Sequence, residues 1–437
     1  MASISHFDAL YVYIVIVYRD CLSIIRYSKV YIVDEHCSLK LSEQSKIQLA
    51  CLTGGIITVG IARFAYTPML PEMAEDIGLT ETVAGFLAAA NYAGYLCGAL
   101  LISFIHNLQL KIKLYRYGLI AAVVTTLCMA ATTNEWLWYI LRYVSGLSSA
   151  TGVLLGAGLL MHWLRHNQEK AELGIFFSSL GIGIVLTAIT AQLIKIEYTW
   201  DQQWLIYGLL ALILLIPVLF WFPDFSKSTI GTQHTEHKET QPLPSKQFFL
   251  TLQSAYFCAG FGYVVTATFL IAIVELLPDM KGLGWGVWLL VGIAAAPGCW
   301  LWDLYVRKVG IWSSMFQAYI LNMVSTALLL FDPSATVIFI SALLYGCSFI
   351  GIVSMTLSMV GRLYPENPSR SMSHLTFSYG LAQVIAPALV GIIAEKSESF
   401  TDGLIITVIV MLVGIALLMR AVMILKSDKS LSLKHSF

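Results

Sequence analysis

Residues 60–73 read GIARFAYTPMLPEM. The stretch before them, from Leu49 to Val59, is almost wholly apolar, and no acid lies within eight residues of Arg63 on either side. A permanently charged guanidinium in such a setting is costly unless something receives it. What surrounds this segment decides whether it belongs to a soluble core or a membrane span. Of the 437 residues, 58% are hydrophobic and 12% charged. Soluble domains run near a quarter charged. Mean hydropathy is +0.76, and the apolar runs cover nearly the whole chain. The class is a polytopic membrane protein.

About 20 apolar residues cross the hydrocarbon core as a helix. Twelve runs of that kind lie near 47–70, 82–105, 114–133, 136–163, 172–194, 203–222, 248–276, 283–302, 311–331, 334–361, 372–394 and 403–425. Charge in the connecting loops alternates with them. Even loops carry Lys111, Lys113, Arg116, Arg165, Lys170, Lys227, Lys238, Lys246, Arg307, Lys308, Arg362 and Arg370. Odd loops carry Lys195, Lys281 and Lys396, and are otherwise acidic, with Glu72, Glu75, Asp76, Glu81, Glu395, Glu398 and Asp402. The positive-inside rule then places both ends of the twelve-span unit in the cytoplasm. A wrong span count would scramble this alternation.

The longest polar connection, PDFSKSTIGTQHTEHKETQPLPSKQ (223–247), divides the spans six and six. Its His234 and His237 read as part of a Pro/Ser/Thr/Gly linker rather than a metal site. Short echoes support two halves of one design: MLPEM (69–73) with LLPDM (276–280), FSSLG (177–181) with FSYG (377–380), and KLYRYG (113–118) with DLYVRKVG (303–310). The expected organisation is an N-terminal bundle over 47–222, a linker, a C-terminal bundle over 248–426 and a tail over 427–437. Residues 1–46 stand apart. LYVYIVIVY (10–18) is short and followed by Arg19, Asp20 and Arg26. An interfacial segment, an upstream start site and a thirteenth span all stay open, the last disfavoured by those charges.

Function in such a chain lives in polar side chains held at depth. Arg63 and Arg142 each lie about 10 Å inside their spans at the helical rise. Arg142 opens an RxxxG stretch, which equally suits a clamp on backbone carbonyls. Gly60, Tyr66 and Thr67 give Arg63 a small, polar helix face. Asn91 and Tyr95 share one face of the second span. Gly94 and Gly98 form a GxxxG packing seam there. Ser145 and Ser149 share the Arg142 face. Gln383 is mid-span in the eleventh helix, four residues before Pro387. Acids avoid mid-membrane. Glu275 and His374 are the nearest titratable candidates for coupling, and both sit near span ends. Eight cysteines include no CxxC pair and no zinc-type spacing. There is no Walker A, HExxH or GxSxG. Neither enzyme chemistry, a bound cofactor, a metal nor a nucleic-acid partner is expected. Uphill movement of a small solute would need a gradient, with protons or sodium ions as the candidate couplers.

These features together resemble the major facilitator superfamily over about 46–426. Sharper matches are GIARFAYTPMLPEM, NYAGYLCGAL (91–100), RYVSG (142–146) and FCAGFGYVVTATFL (257–270). They look like the bacterial YbfB/YjiJ-type branch, which carries a similar GxxRFxYTPLLP first span and NYxGYLxGAL second span. The resemblance implies an all-α fold of two pseudo-symmetric six-helix bundles that rock about a central site. It also implies that the first and fourth helices line that site, so that Arg63 and Arg142 meet there. The superfamily's gating loop is degenerate in HNLQLKIKLYRYG (106–118), which lacks Asp, but WDLYVRKVG (302–310) retains Asp303 and Arg307. The fifth span, GIFFSSLGIGIVLTAIT (174–190), has the antiporter glycines but no proline, so drug:proton antiport is not supported. The reading is a secondary transporter of a small organic anion or zwitterion, working as a monomer in a bacterial inner membrane. Candidate binding residues are Arg63, Tyr66, Asn91, Tyr95, Arg142 and Gln383. Glu275, His374, Asp303 and Arg307 are weaker candidates for coupling or gating. Two other readings are efflux of amphipathic compounds through an aromatic-lined cavity and a non-transporting sensor or scaffold, the latter expected to carry a soluble output domain. The orientation is open to test: a cysteine at Thr235 should be shielded from impermeant thiol reagents in intact cells, and one at Glu398 labelled. The opposite pattern would invert the topology.

Overall fold

The computed structural model describes residues 42–105, 107–168, 173–222, 244–331, 334–364 and 368–427. His234, His237 and most of the N-terminal segment, linker and tail fall outside them. Every described element is helical. The spans are α1 (Glu43–Ile77), α2 (Glu81–Ser103), α3 (Leu108–Met129), α4 (Glu135–Leu164), α5 (Ile175–Ile194) and α6 (Trp200–Trp221) in one half. The other half holds α7 (Lys246–Glu275), α8 (Gly284–Ala295 continued by Gly298–Val309), α9 (Ile311–Phe331), α10 (Ala335–Leu363), α11 (Ser371–Ser397) and α12 (Thr401–Ser427). All twelve expected spans are present when the two pieces of α8 are counted as one.

Local chemistry sets many of the starts. Thr80, Asn107, Asn134 and Ser245 each turn a side-chain oxygen onto the first free backbone N–H groups of α2, α3, α4 and α7. The Asn107 cap begins α3 ahead of the apolar run, so Lys111, Lys113 and Arg116 ride on its first turns. Their long stems allow the charges to reach the interface. α1 stops where Gly78 adopts φ 69° and closes the last turn onto Ala74. It therefore runs to Ile77, beyond the expected end near 70, and Arg63 lies about 20 Å from that end at the helical rise. α8 bends by 46° around Ala296 and Pro297, where proline supplies no N–H to continue the ladder.

Packing between halves has two-fold logic. α2 lies against α11, α8 against α5, and α1 against α7. A half-turn exchanging α1–α6 with α7–α12 carries the first pair onto the second and the third onto itself. The apolar windows of α1 and α7 are 83% buried, against 33% for α6 and 22% for α12. Helices buried on all sides are central ones. Leu212, Ile213, Leu219 and Phe220 on α6, and Ile409, Leu412 and Val413 on α12, are left facing outward.

Within the first half, α2 and α4 meet through glycines. A methyl group on Gly94 would overlap the Tyr143 carbonyl, and one on Gly146 the Asn91 carbonyl. The GxxxG and RxxxG stretches are thus two sides of one seam. Gly146→Ala should cost about 1–3 kcal/mol or more through overpacking and lower the thermal midpoint in detergent. Gly158→Ala, where nothing lies within 4 Å, should leave it unchanged. Equal midpoints for the two variants would show that the seam is looser than described.

Candidate functional site

Arg63 is placed by an irregularity of α1. Residues Ile56–Phe64 form a π-helical stretch, a geometry frequent at functional sites. α4 carries a second π-helical turn over Thr151–Leu155 and packs against the first. Polar side chains of α4 hold the α1 backbone here. Ser149 Oγ donates to the Thr58 carbonyl at 2.5 Å, and Ser145 Oγ donates to the Ala62 carbonyl at 2.7 Å. Arg142 Nη1 donates to the same Ala62 carbonyl at 3.0 Å.

Two nitrogens of Arg142 hold neighbouring backbone. Its Nε also donates to the Leu87 carbonyl at 3.5 Å, and its guanidinium stacks 4.4 Å over the Tyr66 ring. Tyr66 in turn donates from its hydroxyl to the Ala84 carbonyl at 2.9 Å. Asn91 Nδ2 donates to the Arg142 carbonyl and to Ser145 Oγ. One network therefore joins α1, α2 and α4. The crevice beside Arg142, bordered by Ala62, Leu141, Ser145 and Trp204, is too narrow for a water molecule.

Arg63 is different. It is 8% exposed and faces the other half of the molecule. Its Nη2 donates to Gln383 Oε1 of α11 at 3.2 Å. Its Nε, on the same edge of the guanidinium, is buried with no hydrogen-bond partner. The cation lies 4.3 Å from the Tyr92 ring centroid and 5.0 Å from that of Tyr95. Among the described residues, the buried charged side chains are Arg63 and Arg142, with no buried carboxylate.

Of the candidate residues, then, the structure gathers Arg63, Tyr95 and Gln383 between the halves. Arg142, Tyr66 and Asn91 form the adjoining support inside the first half. Glu275, His374, Asp303 and Arg307 lie elsewhere. Glu275 accepts from the backbone N–H groups of Gly282 and Gly284, fastening the start of α8. Asp76 does the same for Trp200 at the start of α6. Asp303 and Arg307 face each other at 3.9 Å on an exposed helix surface. His374 is exposed, with its ring 6.3 Å from Phe249.

Residues that sequence reasoning did not single out complete the surroundings: Tyr92, whose ring centroid lies 4.3 Å from the Arg63 guanidinium, and Tyr263, Tyr345 and Tyr379 of α7, α10 and α11, whose rings pack on one another. Spacing held a signal. Tyr92 and Tyr95 are three apart, Tyr379 and Gln383 four apart, so each pair shares a helix face. Between this level and the face carrying the α1–α2 and α11–α12 links, the halves are tied directly. Thr67 Oγ1 donates to the Ala267 carbonyl at 2.7 Å, and the Thr82 N–H donates to Glu395 Oε2 at 3.1 Å. Phe64 meets Trp288 edge-on at 5.9 Å.

Twelve spans in two symmetric halves, with polar groups converging between them, define a membrane transporter of the major facilitator type. The chain belongs to the family described as "Uncharacterised MFS-type transporter YbfB", whose profile matches residues 55–419. It is 23% identical over 213 residues to the putative transporter AraJ of Escherichia coli, covering 48% of this chain and 54% of that one. It is 24% identical over 216 residues to the class B tetracycline resistance protein of Escherichia coli, covering 48% of each. It is 25% identical over 158 residues to the uncharacterized transporter mfc1 of Schizosaccharomyces pombe, covering 36% of this chain and 32% of that one. The chain thus spans about half the length, or less, of these curated relatives. Among solved structures, a point mutant of the nucleoside transporter NupG matches with a TM-score of 0.67 at 14% identity, covering 87% of this chain and 99% of that one. At that identity the likeness speaks for the fold alone.

The support role of Arg142 has a measurable consequence. Arg142→Leu removes the side-chain donor of the Leu87 carbonyl and one of the two at the Ala62 carbonyl, which keeps Ser145, each lost bond worth about 1–2 kcal/mol in a membrane interior. Its thermal midpoint in detergent should fall well below that of Arg63→Leu. The reverse order would show that Arg142 is not the structural member of the pair.

Proposed function

We propose that this chain is a secondary transporter for a small organic anion or zwitterion, and that Arg63 binds the negative group. The observation that carries the reading is the state of the guanidinium's outer edge. One prong, Nη2, rests on a neutral amide oxygen, and the other, Nε, has no partner. A carboxylate or phosphate accepts both prongs at once, in two parallel charge-assisted hydrogen bonds. Gln383 can then turn its amide N–H toward the same anion. Because Arg63 belongs to α1 and Gln383 to α11, one substrate touches both halves. Alternating access requires a site of that kind. The ties through Thr67, Thr82 and Phe64 make this conformer one closed between Arg63 and the acidic-loop face, which the basic-loop bias places outside. The chain sits in a bacterial inner membrane with both ends of the twelve-span core in the cytoplasm, and works as a monomer.

The tyrosine rings around Arg63 favour a second reading, efflux of an amphipathic compound held by aromatic contacts. The two readings separate on substitution. Arg63→Lys keeps the charge but loses the planar fork, and affinity for an anionic substrate should fall. Arg63→Gln loses both and should fall further, by about 2–5 kcal/mol, or roughly 30- to several-thousand-fold. The readout is ligand affinity on purified variants of matched thermal stability. A well-folded Arg63→Gln protein with unchanged affinity would move the assignment to aromatic efflux.

A further inference from the structure

The surroundings of Arg63 hold nothing that would pair with a second positive charge. Among the described residues no carboxylate is buried, and the acids on the bordering helices are distant. Along α1 the nearest is Glu72, nine residues on, or about 14 Å at the helical rise. Its carboxylate is engaged by Lys195 at 3.1 Å. On α11 the nearest acid to Gln383 is Glu395, twelve residues on, or about 18 Å. It accepts from the Thr82 N–H at 3.1 Å. Glu81 of α2 lies eleven residues before Tyr92, about 16 Å away along the helix. Glu275 of α7 is held by the N–H groups of Gly282 and Gly284.

Neutral partners for a cation are taken as well. Aromatic faces attract cations, but those of Tyr92 and Tyr95 already receive the Arg63 guanidinium, at 4.3 and 5.0 Å. Gln383 Oε1 accepts from Arg63 Nη2 at 3.2 Å. If an anion displaces that bond, the amide can offer the anion its N–H or a cation its oxygen. One neutral oxygen is a poor exchange for the hydration of an ammonium, which carries three donors and no acceptor. A second fixed cation lies close by: Arg142 Nη1 reaches the Ala62 carbonyl, one residue from Arg63, at 3.0 Å. An ammonium brought here would be desolvated near two guanidinium groups with no carboxylate of the protein to pair with, which is costly. A carboxylate meets the opposite situation, since the unpartnered Arg63 Nε is a donor.

We propose that the substrate is an organic anion carrying no ammonium group, an organic acid rather than an amino acid. This rests on the anion-binding reading of Arg63 and removes the zwitterion from it. Gln383 is the residue that sets the preference, because it is neutral where a carboxylate would both neutralise Arg63 and receive an ammonium.

The test is calorimetric titration of the full chain in detergent with pairs that differ by one ammonium group: hydrocinnamate against phenylalanine, isocaproate against leucine, and glutarate against glutamate. At least one acid should bind tenfold or more tightly than its amino acid, and Arg63→Gln should weaken that acid tenfold or more. Gln383→Glu, nearly the same shape, should weaken the acid by as much and bring the preference below threefold. Gln383→Met, which is neutral, should keep the preference. Variants are compared at matched thermal midpoints. Amino acids that bind as tightly as the acids, both weakened by Arg63→Gln, overturn this inference while leaving the anion site standing. Acids that bind equally well to the parent protein and to Arg63→Gln overturn both. A preference that survives Gln383→Glu, or binding by none of the acids, overturns the inference as well.

Discussion

One cation that cannot be neutralised sits near the middle of the membrane, and the surrounding structure is organised to tolerate it. Arginine keeps its charge at any physiological pH. A charge at the bilayer centre is expensive, by several kcal/mol even on the mildest scales. At Arg63 no acid offsets that cost among the described residues. Tyrosine faces and a glutamine oxygen do so in part. Those are weak, neutral partners, and an anion can displace or join them without breaking an ion pair first. A carboxylate from the chain itself would stabilise the empty state better and compete with substrate.

The second arginine shows the alternative fate of a buried guanidinium. Arg142 lies close by, yet its donors go to backbone carbonyls of α1 and α2, and its face is covered by Tyr66. Together with Ser145 and Ser149 it fixes the π-helical stretch from which Arg63 projects. One arginine therefore builds the support and the other is left with a free donor. That division fits a transporter of this family. On the proposed reading, the first half presents the charge and the second half meets it through Gln383.

Much of this was legible in the chain itself. Twelve apolar runs are long enough to be unambiguous, and the lipid environment leaves helices as their outcome. The glycine seams were legible because a fixed four-residue spacing defines a helix face. Boundaries were harder. The amphipathic end of α1 carries it past the apolar run to Gly78, and the cap at Asn107 starts α3 before its own. The break in α8 at Pro297 was written in the sequence but was overshadowed by the apolar residues around it. In the candidate site, a lone arginine in a span stands out against its neighbours, which is why Arg63 drew attention from sequence. What it touches was not legible. Gln383 lies 320 positions away, and tyrosines in apolar spans are common enough to read as packing. Glu275, His374, Asp303 and Arg307 were weaker candidates for coupling or gating because titratable groups are scarce in the spans. In the fold, Glu275 is engaged in fastening a helix start.

The central claim is that positive charge at position 63 holds the substrate. It is tested most directly by removing the charge and returning it chemically. In a background with its reactive cysteines replaced, Arg63→Cys should bind an anionic substrate poorly. Modification with an aminoethyl methanethiosulfonate, which restores a cation, should recover a large part of the affinity. The neutral methyl and anionic sulfonatoethyl reagents should not. Recovery by all three adducts alike, or by none while the unmodified variant already binds normally, would contradict a role for charge at this position.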